Sequence, residues 1–235
     1  IRCLELSSAI IKDSDGKVET VGQVLDITDR KEAEKKLKEG IEKFRKAMEG
    51  TVSAMARIVE MRDPYTAGHQ QRVARLACAI AEEMGLTEEK IQGIRMAALI
   101  HDIGKIYVPA EILSKPSPLN DIEKSLIEAH PKVGYDILKN IDFPWPVAQI
   151  ILQHHERLDG SGYPNGIKGE SILMEARIVG VADVVEAMSS HRPYRPAVGI
   201  KKALEEIERN KYILYDPEVV DACLRVFRKK KFSFY

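Results

Sequence analysis

Ile91-Gln92-Gly93-Ile94-Arg95-Met96-Ala97-Ala98-Leu99-Ile100-His101-Asp102 sets the pattern for most of this chain. Ile91, Ile94 and Ala98 recur at helical spacing and define one apolar face. That face then meets an imidazole at His101, with a carboxylate beside it at Asp102. Apolar residues turned inward and ending on ionisable ones predict a helical bundle with a polar centre.

The pattern repeats on either side. His69 shares a stripe with Val73, Leu76 and Ile80; His130 follows Ile122 and Leu126; His154 follows Val147 and Ile150; His155 follows Ile151. Asp183 sits between Val179 and Ala187 on a nearly apolar helix. One inward histidine is more often a hydrogen-bonded core residue than a ligand, but repeated intrusions on separate faces resist that explanation. Buried Asp102 and Asp183 would each cost several kcal/mol, on the order of 3–5, if left unpaired. No Lys or Arg recurs on those faces to pair with them. Divalent cations satisfy carboxylates and imidazoles together, and two ions sharing a bridging Asp account for this many ligands. Imidazole and carboxylate without thiolate suit Fe, Mn, Zn or Ni better than Mg or Ca.

Further out, the helices have legible ends. Thr66 is positioned to cap a helix running to Gly85, and Thr87 with Glu88 and Glu89 opens the next. Asn120 with Glu123 forms a capping-box pattern. Pro131, Pro146 and Pro217 sit where helices can begin. No run of strand period follows residue 60, and Lys229-Lys230-Lys231 reads as a solvated tail. The fold class expected is mainly α, a helical bundle with an N-terminal β-hairpin and a linker helix.

The hairpin pairs Arg2–Ile11 with Val18–Ile27 around Asp13-Ser14-Asp15-Gly16. From Arg30 to about Met61, Leu37, Ile41, Phe44, Met48, Met55 and Ile58 fall at spacings of four and three, with Thr51 filling one gap. This fits a two-stranded coil, hence a homodimer through the linker helix, and equally a helix packed on its own domain. The division expected is residues 1–29, 30–50 and 51–235.

At 235 residues with 44% hydrophobic side chains, the chain holds one full core and a smaller appendage. Its 36 basic and 36 acidic residues cancel, which argues against binding DNA or RNA polymers by bulk positive charge. Cys3, Cys78 and Cys223 form no CxxC pair and read as reduced thiols, as in a cytoplasmic domain. No apolar run reaches the roughly 18 residues of a membrane span. The chain starts at Ile1 without an initiator Met or a signal pattern. A fragment of a longer protein is expected, with membrane anchoring upstream left open.

Two resemblances follow from these residues. Asp26-Ile27-Thr28-Asp29-Arg30-Lys31-Glu32-Ala33-Glu34 resembles the end of a PAS sensor domain, where the last strand passes into an output helix. An ordinary hairpin and charged helix would read the same way. The helical region, from about Thr51 to Phe227, resembles the HD-GYP family of HD-domain metallohydrolases. His69, His101-Asp102 and Asp183 match its H…HD…D pattern, and His101-Asp102-Ile103-Gly104-Lys105 its HDIGK motif. His154-His155-Glu156-Arg157-Leu158-Asp159-Gly160-Ser161-Gly162-Tyr163-Pro164 is similar to HHExxDGxGYP, and Arg192-Pro193-Tyr194-Arg195 to the family's RPYR segment.

The resemblance implies a binuclear centre of two divalent transition-metal ions, Fe or Mn first, then Zn or Ni. His69, His101, Asp102 and Asp183 would hold one ion, and Asp102 would bridge to a second held by His130, His154 and His155. Where some members place a Glu four residues before the first His, this chain has Tyr65, so two ions are expected rather than three. The implied activity is a phosphodiesterase that opens cyclic di-GMP to pGpG, and onward to GMP, as the output domain of a sensory protein. Two ions roughly 3.5–4 Å apart can pin a bridging hydroxide and bind a phosphate oxygen at once. Asp102 would fix the metal separation. Lys105, one turn beyond if the helix continued, would offset charge developing on the phosphate. Arg192 and Arg195 suit a second phosphate or a guanine edge. The glycine-rich loop Asp159–Gly166 reads as a lip around the site and, in the family, as a contact for partner domains of the GGDEF type; Tyr163 has no catalytic role in this reading. His191 falls outside the ligand set. Alternatives are a cyclic-dinucleotide-binding module of low turnover and an enzyme for another cyclic dinucleotide such as cyclic GMP-AMP. A diiron oxygenase of the HD fold is disfavoured by Lys105 and the paired arginines.

Overall fold

The computed structural model describes residues 2–12, 18–62, 68–190, 199–229 and 232–234. Among these the chain divides into two compact units, Ile1–Gly50 and Thr51–Tyr235. The first contains β1 (Leu4–Lys12) and β2 (Val18–Asp26), paired antiparallel with Leu4 opposite Asp26 and Lys12 opposite Val18. Asp26 turns the chain out of the hairpin. Its Oδ1 accepts from the backbone and hydroxyl of Thr28 (3.0 and 2.5 Å), and α1 (Thr28–Arg62) begins there. Leu37, Ile41 and Phe44 on α1 are exposed.

In the second unit the elements after α1 are α2 (His69–Glu83), α3 (Glu88–Ile100), a 3-10 turn (Ile103–Tyr107), α4 (Ala110–Leu113), α5 (Asp121–Glu128) and α6 (His130–Leu138). They continue with α7 (Val147–Gln153), α8 (Met174–Ser189), α9 (Ile200–Arg209) and α10 (Pro217–Lys229). The core lies where α2, α3, α7 and α8 meet, with α10 closing over α2 and α8. Leu76 and Ile80 of α2, Ile94 of α3, Ile150 and Ile151 of α7, and Ile178 of α8 are fully buried there. Each such side chain contributes about 1.5–3 kcal/mol of burial free energy.

Most helix ends fall where expected. Thr87 caps α3, its Oγ1 accepting from Lys90 N. Asn120 and Glu123 exchange both bonds of a capping box at α5, and Pro131, Pro146 and Pro217 stand at helix starts. The start of α2 differs. Gly68, in the left-handed region at φ 71°, is the N-cap of α2, and Thr66 lies outside the described residues. His130 also differs. α5 stops at Glu128 and Ile122 is 75% exposed, so no continuous stripe leads to His130; it is buried as the first residue of its own helix. Lys229 is exposed, and Lys230 and Lys231 lie outside the described residues. Beyond them the rings of Phe232 and Phe234 lie beside Phe227, and Arg75 of α2 donates to the Phe234 carbonyl.

Two close approaches fix the geometry of the centre. A Cβ on Gly104 would stand 2.0 Å from the His130 carbonyl oxygen, and one on Gly180 would stand 2.5 Å from that of His154. Any side chain at either position would separate the 3-10 turn from α6, or α8 from the end of α7.

Candidate metal centre

Helix ends assemble this site. His69 opens α2, His101 ends α3, and Asp102 leads into the 3-10 turn. His130 opens α6, His154 ends α7 with His155 next to it, and Asp183 lies within α8. The chain therefore brings together residues that span more than a hundred positions. His69, His101, Asp102, His130, His154 and Asp183 are all buried, and His155 is partly so. The rings form a continuous cluster, with centroid separations of 5.3 Å (His69–His101), 5.1 Å (His101–His154), 5.3 Å (His130–His154) and 4.0 Å (His154–His155).

Ligand-type atoms converge in overlapping groups: His69, His101 and Asp183; His101, Asp102 and His154; His130, His154 and His155. Asp102 joins them. Its Oδ2 lies 3.6 Å from His101 Nε2 and 3.9 Å from His69 Nε2, while its Oδ1 lies 3.4 Å from His130 Nε2. Asp183 Oδ1 is 3.1 Å from His69 Nε2 and 3.8 Å from His101 Nε2.

The rings are aimed by their other nitrogens. Nδ1 of His101, His130 and His154 each faces the carbonyl three residues upstream, of Ala98 (2.8 Å), Ile127 (2.7 Å) and Ile151 (2.6 Å). A carbonyl only accepts, so Nδ1 carries the proton and the Nε2 lone pair points inward. The Nε2 atoms of His69 and His101 are buried and make no hydrogen bond. Buried nitrogens left unpaired between carboxylates are costly without a further partner. A divalent cation fits them, and the donor set of imidazoles and carboxylates suits a transition metal.

The electrostatics prepare the same state. Burial would raise the Asp102 carboxyl, but Lys105 and the imidazoles of His101, His130 and His69 outweigh it and hold the group well below the usual range. Asp183 is likewise lowered against its burial, chiefly by His69 and His101. Burial pushes His130 down to about 4, with Asp102 opposing. It pushes His154 and His155 well below their ordinary value, helped by neighbouring imidazoles. His69 differs. Burial lowers it, but Asp183 and Glu186 carry it up to about 9.

Lys105 corrects one expectation. α3 does not continue to it; the 3-10 turn does, and its Nζ donates to Asp102 Oδ2 at 2.6 Å. A cation is therefore paired with Asp102 after all, supplied from the turn rather than from the apolar face. Tyr65, His191, Arg192 and Arg195 lie outside the described residues.

Glu186 escaped the sequence reading, and Glu156 and Tyr163, read there only as part of a motif, take places beside the site. Glu186, one helical turn beyond Asp183, is 1% exposed and meets His69 Nδ1 through Oε2. An acid at i+3 from Asp183 on an apolar helix was the available signal. Glu156 is buried, and its Oε1 accepts from Asn165 N at 2.8 Å, tying the glycine-rich loop beneath the paired histidines. Tyr163 lays its ring beside His155, centroids 4.7 Å apart at 31°, and so forms a wall of the centre.

Residues 53–219 match the family described as the HD domain; the match leaves out the hairpin and most of α1, so the PAS-like reading gains nothing from it. The chain is 45% identical over 177 residues to the cyclic di-GMP phosphodiesterase response regulator RpfG of Xanthomonas campestris pv. campestris, covering 74% of this chain and 47% of that protein. It is 40% identical over 171 residues to 3'3'-cGAMP-specific phosphodiesterase 3 of Vibrio cholerae, covering 73% and 37%. The chain thus spans about half or less of the length of these relatives. In fold it is similar to the HD domain of the L. monocytogenes phosphodiesterase PgpH, with a TM-score of 0.54 at 21% identity over 76% of this chain and 99% of that one. With most of its helical unit matched, the chain belongs to the HD-domain family.

Proposed function

We propose that this chain is a metal-dependent phosphodiesterase of the HD-GYP type that opens cyclic di-GMP to pGpG, and onward to GMP. The observation that carries the reading is Asp102, whose two oxygens face different histidine groups. That arrangement suits a carboxylate shared between two ions, with His69, His101 and Asp183 on one side and His130, His154 and His155 on the other. Divalent ions held there, Fe or Mn first and Zn or Ni after them, would offset negative charge on a phosphoryl oxygen and would lower the pKa of water enough to give a hydroxide at neutral pH. Net, water adds across one P–O bond, leaving a 5'-phosphate and freeing a 3'-hydroxyl.

The chain's own residues do the rest. Asp102 stays ionised and fixes the spacing of the two groups. Lys105, beside Asp102, is within reach of a phosphate placed there, and its ammonium offsets charge developing in the transition state. Tyr163 and the Asp159–Gly166 loop wall the centre on the His155 side. Arg192 and Arg195 are assigned to the second phosphate or a guanine edge of the substrate. The relative named for cyclic di-GMP supports the substrate. The one named for 3'3'-cGAMP supports cyclic GMP-AMP as the second reading. Residues 1–29 are assigned to the end of a PAS-like sensor, 30–50 to a linker and 51–235 to the output domain. The exposed row of Leu37, Ile41 and Phe44 supports a homodimer through α1, which a monomeric mass by light scattering would overturn.

The decisive experiment incubates metal-free and Mn-loaded protein with cyclic di-GMP and with 3'3'-cGAMP in parallel. Linear product from cyclic di-GMP, formed only by loaded protein, is the expected result. Preferential opening of cGAMP selects the second reading, and intact nucleotides after prolonged incubation with loaded protein overturn the enzyme.

A further inference from the structure

His69 is held differently from the other rings of the centre. His101, His130 and His154 each rest Nδ1 on the main-chain carbonyl three residues earlier. For His101 and His154 that carbonyl belongs to the helix the ring ends, and for His130 to the last turn of α5. His69 is the first residue of α2, preceded by Gly68 in the left-handed conformation. α2 itself therefore offers it no preceding turn. A side chain from another helix takes that place: Glu186 Oε2 meets His69 Nδ1.

Glu186 is itself fixed. It is 1% exposed, and its second oxygen, Oε1, accepts from Arg72 Nε at 2.6 Å and from Ser190 Oγ at 2.6 Å. Arg72 stands three residues after His69 on α2, and Ser190 follows α8. The carboxylate therefore joins the α2 turn that carries His69 to the helix that carries Asp183. Arg72 also brings the positive charge that lets an acid stay ionised in so buried a place.

We infer that Glu186 is a positioning residue for one half of the metal centre. It keeps the His69 proton on Nδ1, turns the Nε2 lone pair toward Asp183 and Asp102, and makes that imidazole a stronger donor than a carbonyl-backed ring. A carboxylate behind a ligand histidine fixes its tautomer and raises its basicity, and losing such a partner typically costs 10–100-fold in metal affinity. The two halves of the centre thus differ in how they are supported. The His69, His101, Asp183 group leans on a side chain that can be exchanged, whereas His130 and His154 lean on main chain. The consequence is selective: damage at Glu186 weakens one ion and spares the other.

This inference rests on the metal reading of the site, and its test separates the two. The metal-free 235-residue chain and its variant Glu186→Gln are titrated with Mn2+ in competition with a chelator indicator, and the bound equivalents are counted. Wild type takes up two ions. Glu186→Gln keeps one at wild-type affinity and loses about 10–100-fold at the other. Should wild type bind none, the metal reading fails. Should wild type bind two and the variant match it at both, or weaken equally at both, the positioning role fails. Because Glu186→Gln leaves Arg72 beside a neutral amide, Ser190→Ala is titrated in parallel. It retains the carboxylate and removes one hydrogen bond, so a two- to tenfold loss confined to the same ion is expected; no loss there overturns the role if Glu186→Gln does not fold.

Discussion

Lys105 is the residue whose place in the structure says most about its work. Its ammonium sits on Asp102 Oδ2 at 2.6 Å, with 9% of the residue exposed. A cation there does not serve as a metal ligand, so its removal separates binding from chemistry. Lys105→Met, close in volume, is expected to retain both metal ions and lower kcat toward cyclic di-GMP by about 10²–10³, the scale seen when one preorganised donor is lost. Steady-state kinetics with metal analysis on the same sample checks this; unchanged kcat would remove Lys105 from the catalytic set. His69, His101, His154, His155 and Asp183 were legible because an imidazole or carboxylate on an apolar stripe is conspicuous, Asp102 because it adjoins His101, while His130 was read from a stripe that the structure breaks. Their supports were not. A carbonyl that aims a ring leaves no mark in the residue names, and Glu186 is one acid among 36 acidic residues.

Among the elements, the short 3-10 turn Ile103–Tyr107 decides whether Asp102 and His130 meet. Gly104 has no room for a methyl group: its Cβ would fall 2.0 Å from the His130 carbonyl oxygen and 2.6 Å from Gly134 N. Both obstacles are backbone, so the helix and the turn must separate. Gly104→Ala is therefore expected to cost about 1–3 kcal/mol of stability and to reduce occupancy of the His130, His154, His155 group. A thermal melt with metal analysis measures both, and wild-type values for each would refute the close approach. The helices themselves were readable from caps and period, since Thr87, Asn120, Glu123 and the three prolines act locally. The start of α2 at His69 behind Gly68 was not, and the stripe drawn through Ile122, Leu126 and His130 overlooked the break that Pro131 marks between α5 and α6.

At the scale of the whole molecule, the metal-free protein has a built-in sensitivity to acid. His130 is held down to about 4 against an ordinary 6.5, and His154 and His155 are lowered too. The folded chain thus refuses protons that the unfolded chain accepts. The stability tied to these rings is complete above about 6.5 and is lost as the pH falls toward 4, on the order of 3 kcal/mol for His130 alone. His69, raised to about 9, works in the opposite sense: its contribution is complete below about 6.5 and lost as the pH rises through 9. Melting of the metal-free protein is expected to move to lower temperature between pH 6.5 and 4, and an unchanged Tm across that window would contradict the buried, neutral rings. The arrangement of the centre on so many helix ends has one more outcome. No early portion of the chain can build it, since a segment stopping short of α8 lacks Asp183 and Glu186 however well its own helices form. An ion held by the His69, His101, Asp183 group would therefore certify that α8 had been made and had docked, whereas His130, His154 and His155 all precede that helix.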